Sequence, residues 1–266
     1  MTDRDGNWKL EARAVHKVFH NSGNVVEALR QISFGVEREE FAVFLGPSGC
    51  GKTSLLRIIA GLEAPSKGEL LVDGQPVIGP SPDRGVVFQA YTSFPWLTVE
   101  GNIEFGLKAV RMVPAERREV IRHWIEAIGL TGFEAVYPSA LSGGMRQRLA
   151  LARTLATRPN VLLLDEPFAA LDAQTRVDMQ MLLMQIGKSC HTTVVFVTHD
   201  LREAVYLADR VFVMSPRPSI VNKVVPINLP RPRCRDIILS PEFTAIEAEL
   251  FGLLGRTVDN PQRIKP

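Results

Sequence analysis

The hydrophobic pattern alternates between short apolar runs and longer helical stretches from one end of the chain to the other. Compact apolar runs, such as Phe41–Leu45, Val161–Asp165 and Thr193–Thr198, predict buried strands. Residues 53–62 and 173–188 lie beside such runs and are predicted as helices. This alternation of strands and helices predicts an α/β fold with a largely parallel sheet.

Further elements follow from the same pattern. Asp73 and Gly74 form a dipeptide that tolerates the positive φ of a primed hairpin turn, so a hairpin is predicted there. The other predicted strands cover residues 8–19, 28–36, 69–72, 85–89 and 210–214, and the other predicted helices cover residues 115–128, 143–156 and 241–254.

The spacing of prolines divides the chain. Residues 94–140 contain helical stretches punctuated by Pro95, Pro114 and Pro138 and no convincing strand, which predicts an inserted helical subdomain. Prolines are again frequent after Ser215. We therefore predict one main domain over residues 1–215 and a C-terminal tail over residues 216–266, whose basic run at 217–235 is expected to be solvated.

Composition narrows the class of protein. With 45% hydrophobic residues among 266, the chain can bury a real core, which excludes a disulfide miniprotein and a disordered tail. The net charge of +2 gives no general basic excess for nucleic acid, and none is expected as a partner. The three cysteines form no CxxC pair, and neither a signal peptide nor a spanning apolar segment is evident. A cytoplasmic location is expected.

The stretch GPSGCGKT at residues 46–53 follows a predicted strand and opens a predicted helix, which is the context of a phosphate-binding P-loop. Its glycines let backbone N–H groups face a polyphosphate, with the helix N-terminus adding positive charge. Lys52 is expected to contact the β and γ phosphates, and the Thr53 hydroxyl to bind Mg²⁺. The predicted nucleotide-binding residues here are Gly46, Pro47, Ser48, Gly49, Cys50, Gly51, Lys52, Thr53 and Ser54.

A second site is predicted where VLLLDEP ends a buried strand. Asp165 lies at the carboxyl end of that strand, where α/β sheets bind ligands, and suits the Mg²⁺ shell. Glu166 is placed to polarise a water for in-line attack on the γ phosphate. A solvent-facing acidic pair is the alternative for an isolated Asp-Glu, and Lys52 in the same chain makes it the weaker one.

Between these motifs lies LSGGMRQR at residues 141–148, with a Ser N-cap and two permissive glycines. In this order the motifs resemble the nucleotide-binding subunits of ABC transporters over about residues 8–215. The resemblance implies a RecA-like P-loop core with an N-terminal antiparallel β subdomain and an inserted α-helical subdomain. It also implies a dimer in which Ser142, Gly143 and Gly144 of one subunit contact the ATP held by the other.

The resemblance extends to four further positions. It implies that Gln89 contacts Mg²⁺ or the attacking water, that Asp172 lies at the dimer interface, that His199 contacts the γ phosphate and that Phe19 stacks on adenine. Taken singly, each of these has an ordinary structural interpretation, a surface amide or a core aromatic. Met145 replaces the glutamine usual in the signature, which puts in doubt any polar contact of that side chain with the partner's nucleotide.

Several further stretches narrow the resemblance to one group within the family. Among them, FPWLTVEGNIEFGL and MSPRPSI resemble the ATPases of bacterial nitrate, sulfonate and taurine importers. This resemblance implies ATP and Mg²⁺ as cofactors and places the chain at the cytoplasmic face of the cell membrane. The implied partners are separate transmembrane permease subunits, a second copy of the chain and, indirectly, an extracytoplasmic solute-binding protein. Two alternatives stay open. One is a soluble single-cassette ABC ATPase of an assembly or repair complex, and the other is a small-molecule kinase, which has no reason to carry LSGGM.

Overall fold

The computed structural model describes residues 8–21, 24–89 and 93–258. The chain divides into two compact units, residues 1–80 with 193–266 and residues 81–192. In chain order the strands are β1 Leu10–Asn21, β2 Asn24–Val36, β3 Phe41–Leu45, β4 Lys67–Val72, β5 Gln75–Pro76, β6 Arg84–Val87, β7 Val161–Asp165, β8 Thr193–Thr198, β9 Arg210–Met214 and β10 Val221–Pro226. The helices are α1 Lys52–Ala60, α2 Val99–Ala109, α3 Pro114–Ala127, α4 Gly143–Leu155, α5 Ala173–Ser189, α6 Leu201–Leu207 and α7 Pro241–Val258.

The first unit contains an antiparallel sheet in the order β2-β1-β4-β5. The predicted hairpin turn is confirmed, since Asp73 has φ 49° and Gly74 has φ 74° between β4 and β5. The N-terminal antiparallel β subdomain is confirmed as well. Strand β2 begins four residues earlier than predicted, and β1 has the predicted length but is shifted by two residues, because their hydrogen-bonded pairing continues to Asn21 and Asn24.

A second sheet of the same unit has the order β10-β9-β3-β8. Strand β3 is parallel to both β8 and β9, and every residue of β3 and β8 is buried, which is why both are continuous apolar runs. An aromatic cluster of Phe34, Phe44 and Phe212 lies in the core of this unit, with ring centroids 4.7 Å apart for Phe44 and Phe212. The sheet therefore gives the loop after β3 a rigid base.

The second unit contains the parallel pair β6 and β7 and helices α2 to α5. Between residues 93 and 140 the described structure consists of helices, turns and loops without a strand, as the proline pattern predicts. Strand β6 ends at Val87, so Gln89 lies two residues beyond it rather than at its end as predicted. Helix α2 was not individually predicted; it begins at the N-cap Thr98.

The segment after residue 215 folds onto the first unit. Strand β10 pairs antiparallel with β9, and α7 buries Phe243 and Leu250. The basic run is not simply solvated, because Arg217, Lys223, Arg231 and Arg233 each donate hydrogen bonds to other parts of this unit. None of the helices within the described ranges is long and apolar enough to cross a bilayer.

Candidate nucleotide site

The P-loop connects β3 to α1 within the first unit. The Cys50 N–H donates to the Pro47 carbonyl at 3.2 Å, and Gly49, with φ 74°, takes the third position of this turn, where type II turns require positive φ. Helix α1 then begins at Lys52 with no side-chain cap on its first N–H groups. Helix N-termini with N–H groups that lack a side-chain cap are suited to binding anions such as phosphate.

Lys52 is buried in the curve of this loop, with 4% of its surface exposed. Its ammonium donates to the carbonyls of Gly46 at 2.8 Å and Pro47 at 3.1 Å. The two carbonyls thus hold the ammonium inside the loop, and an ammonium is a suitable donor to phosphate oxygens. Thr53 is exposed in the first turn of α1 and Ser54 is half-buried beside it.

Cys50 is a small buried side chain of the P-loop, 2% exposed. Burial raises the pKa of its thiol, and Lys52 only partly opposes this shift. A thiol with a raised pKa is a poor nucleophile at neutral pH. This supports the simple interpretation of Cys50 as a small residue that fits the loop.

His199 comes from the strand next to the P-loop strand. The Gly46 N–H donates to the carbonyl of Thr198 at 3.4 Å, and His199 follows Thr198 as an exposed residue. Its neighbours are fixed: the Thr198 hydroxyl donates to Glu203 at 2.6 Å, and Asp200 caps α6 by accepting from the Glu203 N–H at 3.1 Å. The first unit thus brings His199 and the P-loop to adjacent strand ends.

Phe19 lies in β1 of the first unit and is half-buried. The Lys17 ammonium lies 5.0 Å from the centroid of its ring, within the range of a cation–π interaction. Lys17 is in turn anchored by a hydrogen bond of 2.9 Å to the Ala64 carbonyl. The Phe19 ring is therefore an accessible aromatic surface that is held in place by its contact with Lys17.

The second unit carries the acidic residues. Asp165 is the last residue of the fully buried β7 and is only 5% exposed. Glu166 follows with φ 43°, a left-handed conformation that costs a non-glycine residue on the order of 1 kcal/mol. This turn directs the chain away from the strand at the place where the sequence predicts a general base. Gln89 follows β6, the parallel neighbour of β7, and is exposed.

The LSGGM stretch opens α4 in the same unit. Ser142 is the N-cap, and its hydroxyl accepts a hydrogen bond from the Met145 N–H at 3.3 Å. Because Met145 contributes its backbone to this cap, the replacement of the usual glutamine leaves the cap intact. Gly143 and Gly144 are half-buried in the first turn of the helix.

Asp172 is the N-cap of α5. Its carboxylate accepts from the Thr175 N–H at 3.0 Å and from the Thr175 hydroxyl at 2.6 Å. The hydroxyl contact is the main reason that its pKa is lowered, with the backbone N–H adding to the effect. Asp172 is exposed, so this structural cap is also available at the surface.

The predicted residues thus form two groups, one in each unit: Phe19, residues 46–54 and His199 in the first, and Gln89, Ser142, Gly143, Gly144, Asp165, Glu166 and Asp172 in the second. Two neighbours of these groups were not predicted. Arg217 donates from its Nε to the Gly49 carbonyl of the P-loop, and its only sequence signal is an arginine between prolines just after a strand. Asn102, fully buried, holds the loop at residues 94–98 through four hydrogen bonds.

Comparison with protein families gives a match to the family model described as "ABC transporter" over residues 29–169. Three curated relatives are similar over most of the chain. An uncharacterised ABC transporter ATP-binding protein of Methanocaldococcus jannaschii is 50% identical, covering 92% of this chain and 91% of the relative. The nitrate import ATP-binding protein NrtD of Synechocystis is 44% identical, covering 96% and 98%. The aliphatic sulfonates import ATP-binding protein SsuB of Bacillus cereus is 46% identical, covering 83% and 87%.

Solved structures resemble the chain in fold. The dimeric ATP-binding cassette MJ0796, in a post-hydrolysis state bound to ADP and Pi, matches with a TM-score of 0.72 and 29% identity. The match covers 83% of this chain and 99% of that cassette.

Proposed function

The chain belongs to the ABC transporter family, as an ATP-hydrolysing ATP-binding subunit, and we propose that it powers the import of a small anionic solute of the nitrate, sulfonate or taurine type. The observation that carries the proposal is its 44% and 46% identity to nitrate and aliphatic sulfonate import ATP-binding proteins over most of both chains. The solute would pass through separate permease subunits, with this chain at the cytoplasmic face of the membrane.

Residues of the first unit would bind ATP. The buried Lys52 supplies a fixed positive charge inside the P-loop, the open N-terminus of α1 supplies N–H donors, and Phe19 supplies an aromatic surface for adenine. The backbone N–H groups of Ser48, Gly49 and Gly51 would bind the phosphates, and Cys50, whose N–H donates to the Pro47 carbonyl, would line the loop beside them.

The residues proposed for Mg²⁺ are the Thr53 hydroxyl, the Asp165 carboxylate and the Gln89 amide. All three are hard oxygen donors, which fits this ion, and Mg²⁺ usually takes few protein ligands beside phosphate oxygens and waters. When bound, it would neutralise charge on the β and γ phosphates. No cluster of three His, Cys, Asp or Glu side chains occurs among residues 8–21, 24–89 and 93–258, so a site built of protein ligands alone has no support there.

The proposed catalytic residues are Glu166, His199 and Gln89. Glu166 would accept a proton from the attacking water, and it lies directly after β7 with a left-handed backbone conformation. His199 would donate a hydrogen bond to the γ phosphate. It lies between the end of β8 and the capped start of α6, where hydrogen bonds fix its neighbours. Gln89 would orient the water, as glutamines do in other P-loop enzymes.

The dimer is part of the proposal. The resembling cassette is dimeric in its ADP-bound structure, and the family resemblance of the LSGGM stretch implies that it contacts the ATP of a partner subunit. Ser142, Gly143 and Gly144 would therefore close over the nucleotide of a second copy, and the exposed Asp172 would lie in the interface between the copies. A helix N-terminus with a serine cap is suited to a γ phosphate.

The permease contact is assigned to an aromatic group of the second unit, Phe94, Trp96 and Phe105. The ring of Phe94 lies 5.4 Å from Trp96 and 4.6 Å from Phe105 between centroids. Trp96 is 69% exposed and Phe105 51%. Exposed aromatic rings of this size are typical anchors of protein interfaces. The solute-binding protein would act through the permease and determine the solute together with it.

Affinity capture of this chain from detergent-extracted native membranes tests the proposal. We expect a multi-span membrane protein to be captured with it, and we expect the complex in vesicles to take up nitrate, taurine or an alkanesulfonate when ATP is supplied. Recovery of soluble partners alone would instead support an assembly or repair ATPase. Phosphorylation of a small acceptor with no hydrolysis in its absence would support a kinase.

A further inference from the structure

Arg217 joins the segment after β9 to the centre of the P-loop. Its Nε donates a hydrogen bond to the Gly49 carbonyl. A Cβ placed on Gly49 would lie 3.5 Å from the Arg217 Nη2, so the guanidinium lies directly against this residue. The contact lies entirely within the first unit.

The segment that carries Arg217 is fixed at both ends. The Ser215 N–H donates to the Ile220 carbonyl at 3.0 Å, which closes the loop on itself. Ser219 is fully buried; its N–H donates to the Ala28 carbonyl at 3.0 Å, and its carbonyl accepts from the Arg30 N–H at 2.9 Å. Arg217 is therefore presented from a rigid loop, so a change of its side chain alters the P-loop contact without releasing the segment.

Arg217 completes a set of cationic donors to P-loop carbonyls. In a phosphate-binding loop the N–H groups turn inward to the anion, so the carbonyls turn outward and need other partners. Lys52 serves those of Gly46 and Pro47, and Arg217 serves that of Gly49. Lys52 is also the proposed phosphate ligand, so it must share its donors when a nucleotide binds, whereas Arg217 keeps its hold on Gly49.

We propose that Arg217 is a positioning residue for the nucleotide, holding the P-loop in its phosphate-binding shape through the Gly49 carbonyl. The inference rests on the proposed ATP site and adds a residue outside its recognised motifs. Arg217 acts on binding rather than on chemistry, because its contact is with the loop backbone at Gly49. Its loss leaves the turn at residues 47–50 free to populate other conformations, in which the loop N–H groups no longer keep their directions.

The test uses the full chain with Mg²⁺ and ATP, in the variants Arg217→Ala, Arg217→Lys and Arg217→Gln. Lys223→Ala is the matched control, because Lys223 is a basic residue of the same segment whose exposed ion pair with Glu249 is remote in sequence from the P-loop. We expect Arg217→Ala to raise the Kd and KM for ATP about three- to tenfold, comparable to the net contribution of one hydrogen bond, with kcat within about twofold. Amide hydrogen exchange at residues 46–52 should speed up in the same variant.

The conservative variants separate the hydrogen bond from the charge. Arg217→Lys keeps a cationic donor and should recover part of the affinity, Arg217→Gln keeps a neutral donor and should recover less, and Lys223→Ala should match the wild type. Unchanged Kd and loop exchange in Arg217→Ala would overturn the inference, as would a loss of kcat at constant KM. A wild-type chain that binds no ATP would instead refute the proposed function, so the two failures are distinguishable.

Discussion

Thr175 occupies the space that a side chain at residue 144 would need: a Cβ on Gly144 would lie 2.5 Å from the Thr175 Cγ2. Real Cβ atoms do not approach other atoms this closely, so only glycine fits there with α5 in its present place. The same threonine donates its hydroxyl to Asp172. Thr175 thus connects the second glycine of the LSGGM stretch to the N-cap of α5. Gly144 and Asp172 are 28 residues apart in the sequence, yet both contact this one threonine.

Substitution Gly144→Ala should be destabilising, because the added methyl collides with the Thr175 methyl. Overpacking of this kind costs about 1–3 kcal/mol. The double variant Gly144→Ala with Thr175→Ser removes the colliding methyl and keeps the hydroxyl that donates to the Asp172 carboxylate. It should therefore regain most of the lost unfolding free energy. Urea denaturation followed by circular dichroism measures both. Equal destabilisation of the single and double variants would disprove the steric explanation.

Substitution Glu166→Gln should abolish most ATP hydrolysis while ATP binding persists. The amide has the size of the carboxylate but accepts no proton, and general-base catalysis contributes about 10²- to 10⁴-fold in rate. Phosphate release and ATP affinity should be measured on the same preparations, with Glu249→Gln, an exposed glutamate of α7, as the control. A Glu166→Gln variant that hydrolyses ATP at the normal rate would remove Glu166 from the catalytic role.

The fold was largely predictable from the sequence where the hydrophobic pattern was strong. The buried strands β3, β7 and β8 have the predicted bounds, because each is a continuous apolar run closed by polar residues. Strand β10 was not predicted, because its residues are mostly exposed and it ends at Pro226. The short helix α6 was not predicted either, since most of its residues are buried and no amphipathic period marks it.

The candidate site was predictable where a motif combines unusual residues at fixed spacing, as in GPSGCGKT. Contacts that depend on how distant segments meet were not. The Arg217 bond to Gly49 joins residues that are 168 positions apart, and no local pattern specifies it. The four hydrogen bonds of Asn102 are local, yet an asparagine in a loop-to-helix stretch is so common that its burial could not be read from sequence.

Arg233 anchors the C-terminal segment to the end of α6, so its loss should lower stability. It is 4% exposed and donates to the carbonyls of Tyr206 and Ala208, both at 2.8 Å, and of Val205 at 3.2 Å. Burial lowers the pKa of its guanidinium to about 10, which still leaves it charged at neutral pH.

Substitution Arg233→Met should therefore cost about 2–3 kcal/mol of unfolding free energy, because it orphans several buried carbonyls. Substitution Lys223→Met, which breaks an exposed ion pair, should cost less than about 1 kcal/mol. Thermal unfolding of the full chain compares the two variants. Equal losses for both would mean that the α6 carbonyls find water as a substitute partner, and that Arg233 is not an anchor.

Substitution Trp96→Ala should weaken the permease contact and spare the ATP site. Trp96 is 69% exposed in the middle of the loop that Asn102 holds, so its truncation removes interface area without opening a core cavity. A central aromatic of an interface contributes about 2 kcal/mol or more to binding, which corresponds to a Kd higher by about thirtyfold. The isolated variant should retain wild-type ATP hydrolysis, whereas its capture of the permease from detergent extracts should fall.

Phe251→Ala is the matched control for that experiment, because Phe251 is an equally exposed aromatic, at 69%, on α7 of the other unit. It should leave permease capture unchanged. A result in which Phe251→Ala reduces capture and Trp96→Ala does not would move the docking surface to the C-terminal segment. Loss of hydrolysis by isolated Trp96→Ala would show instead that the aromatic group supports the ATP site, since no permease is present in that measurement.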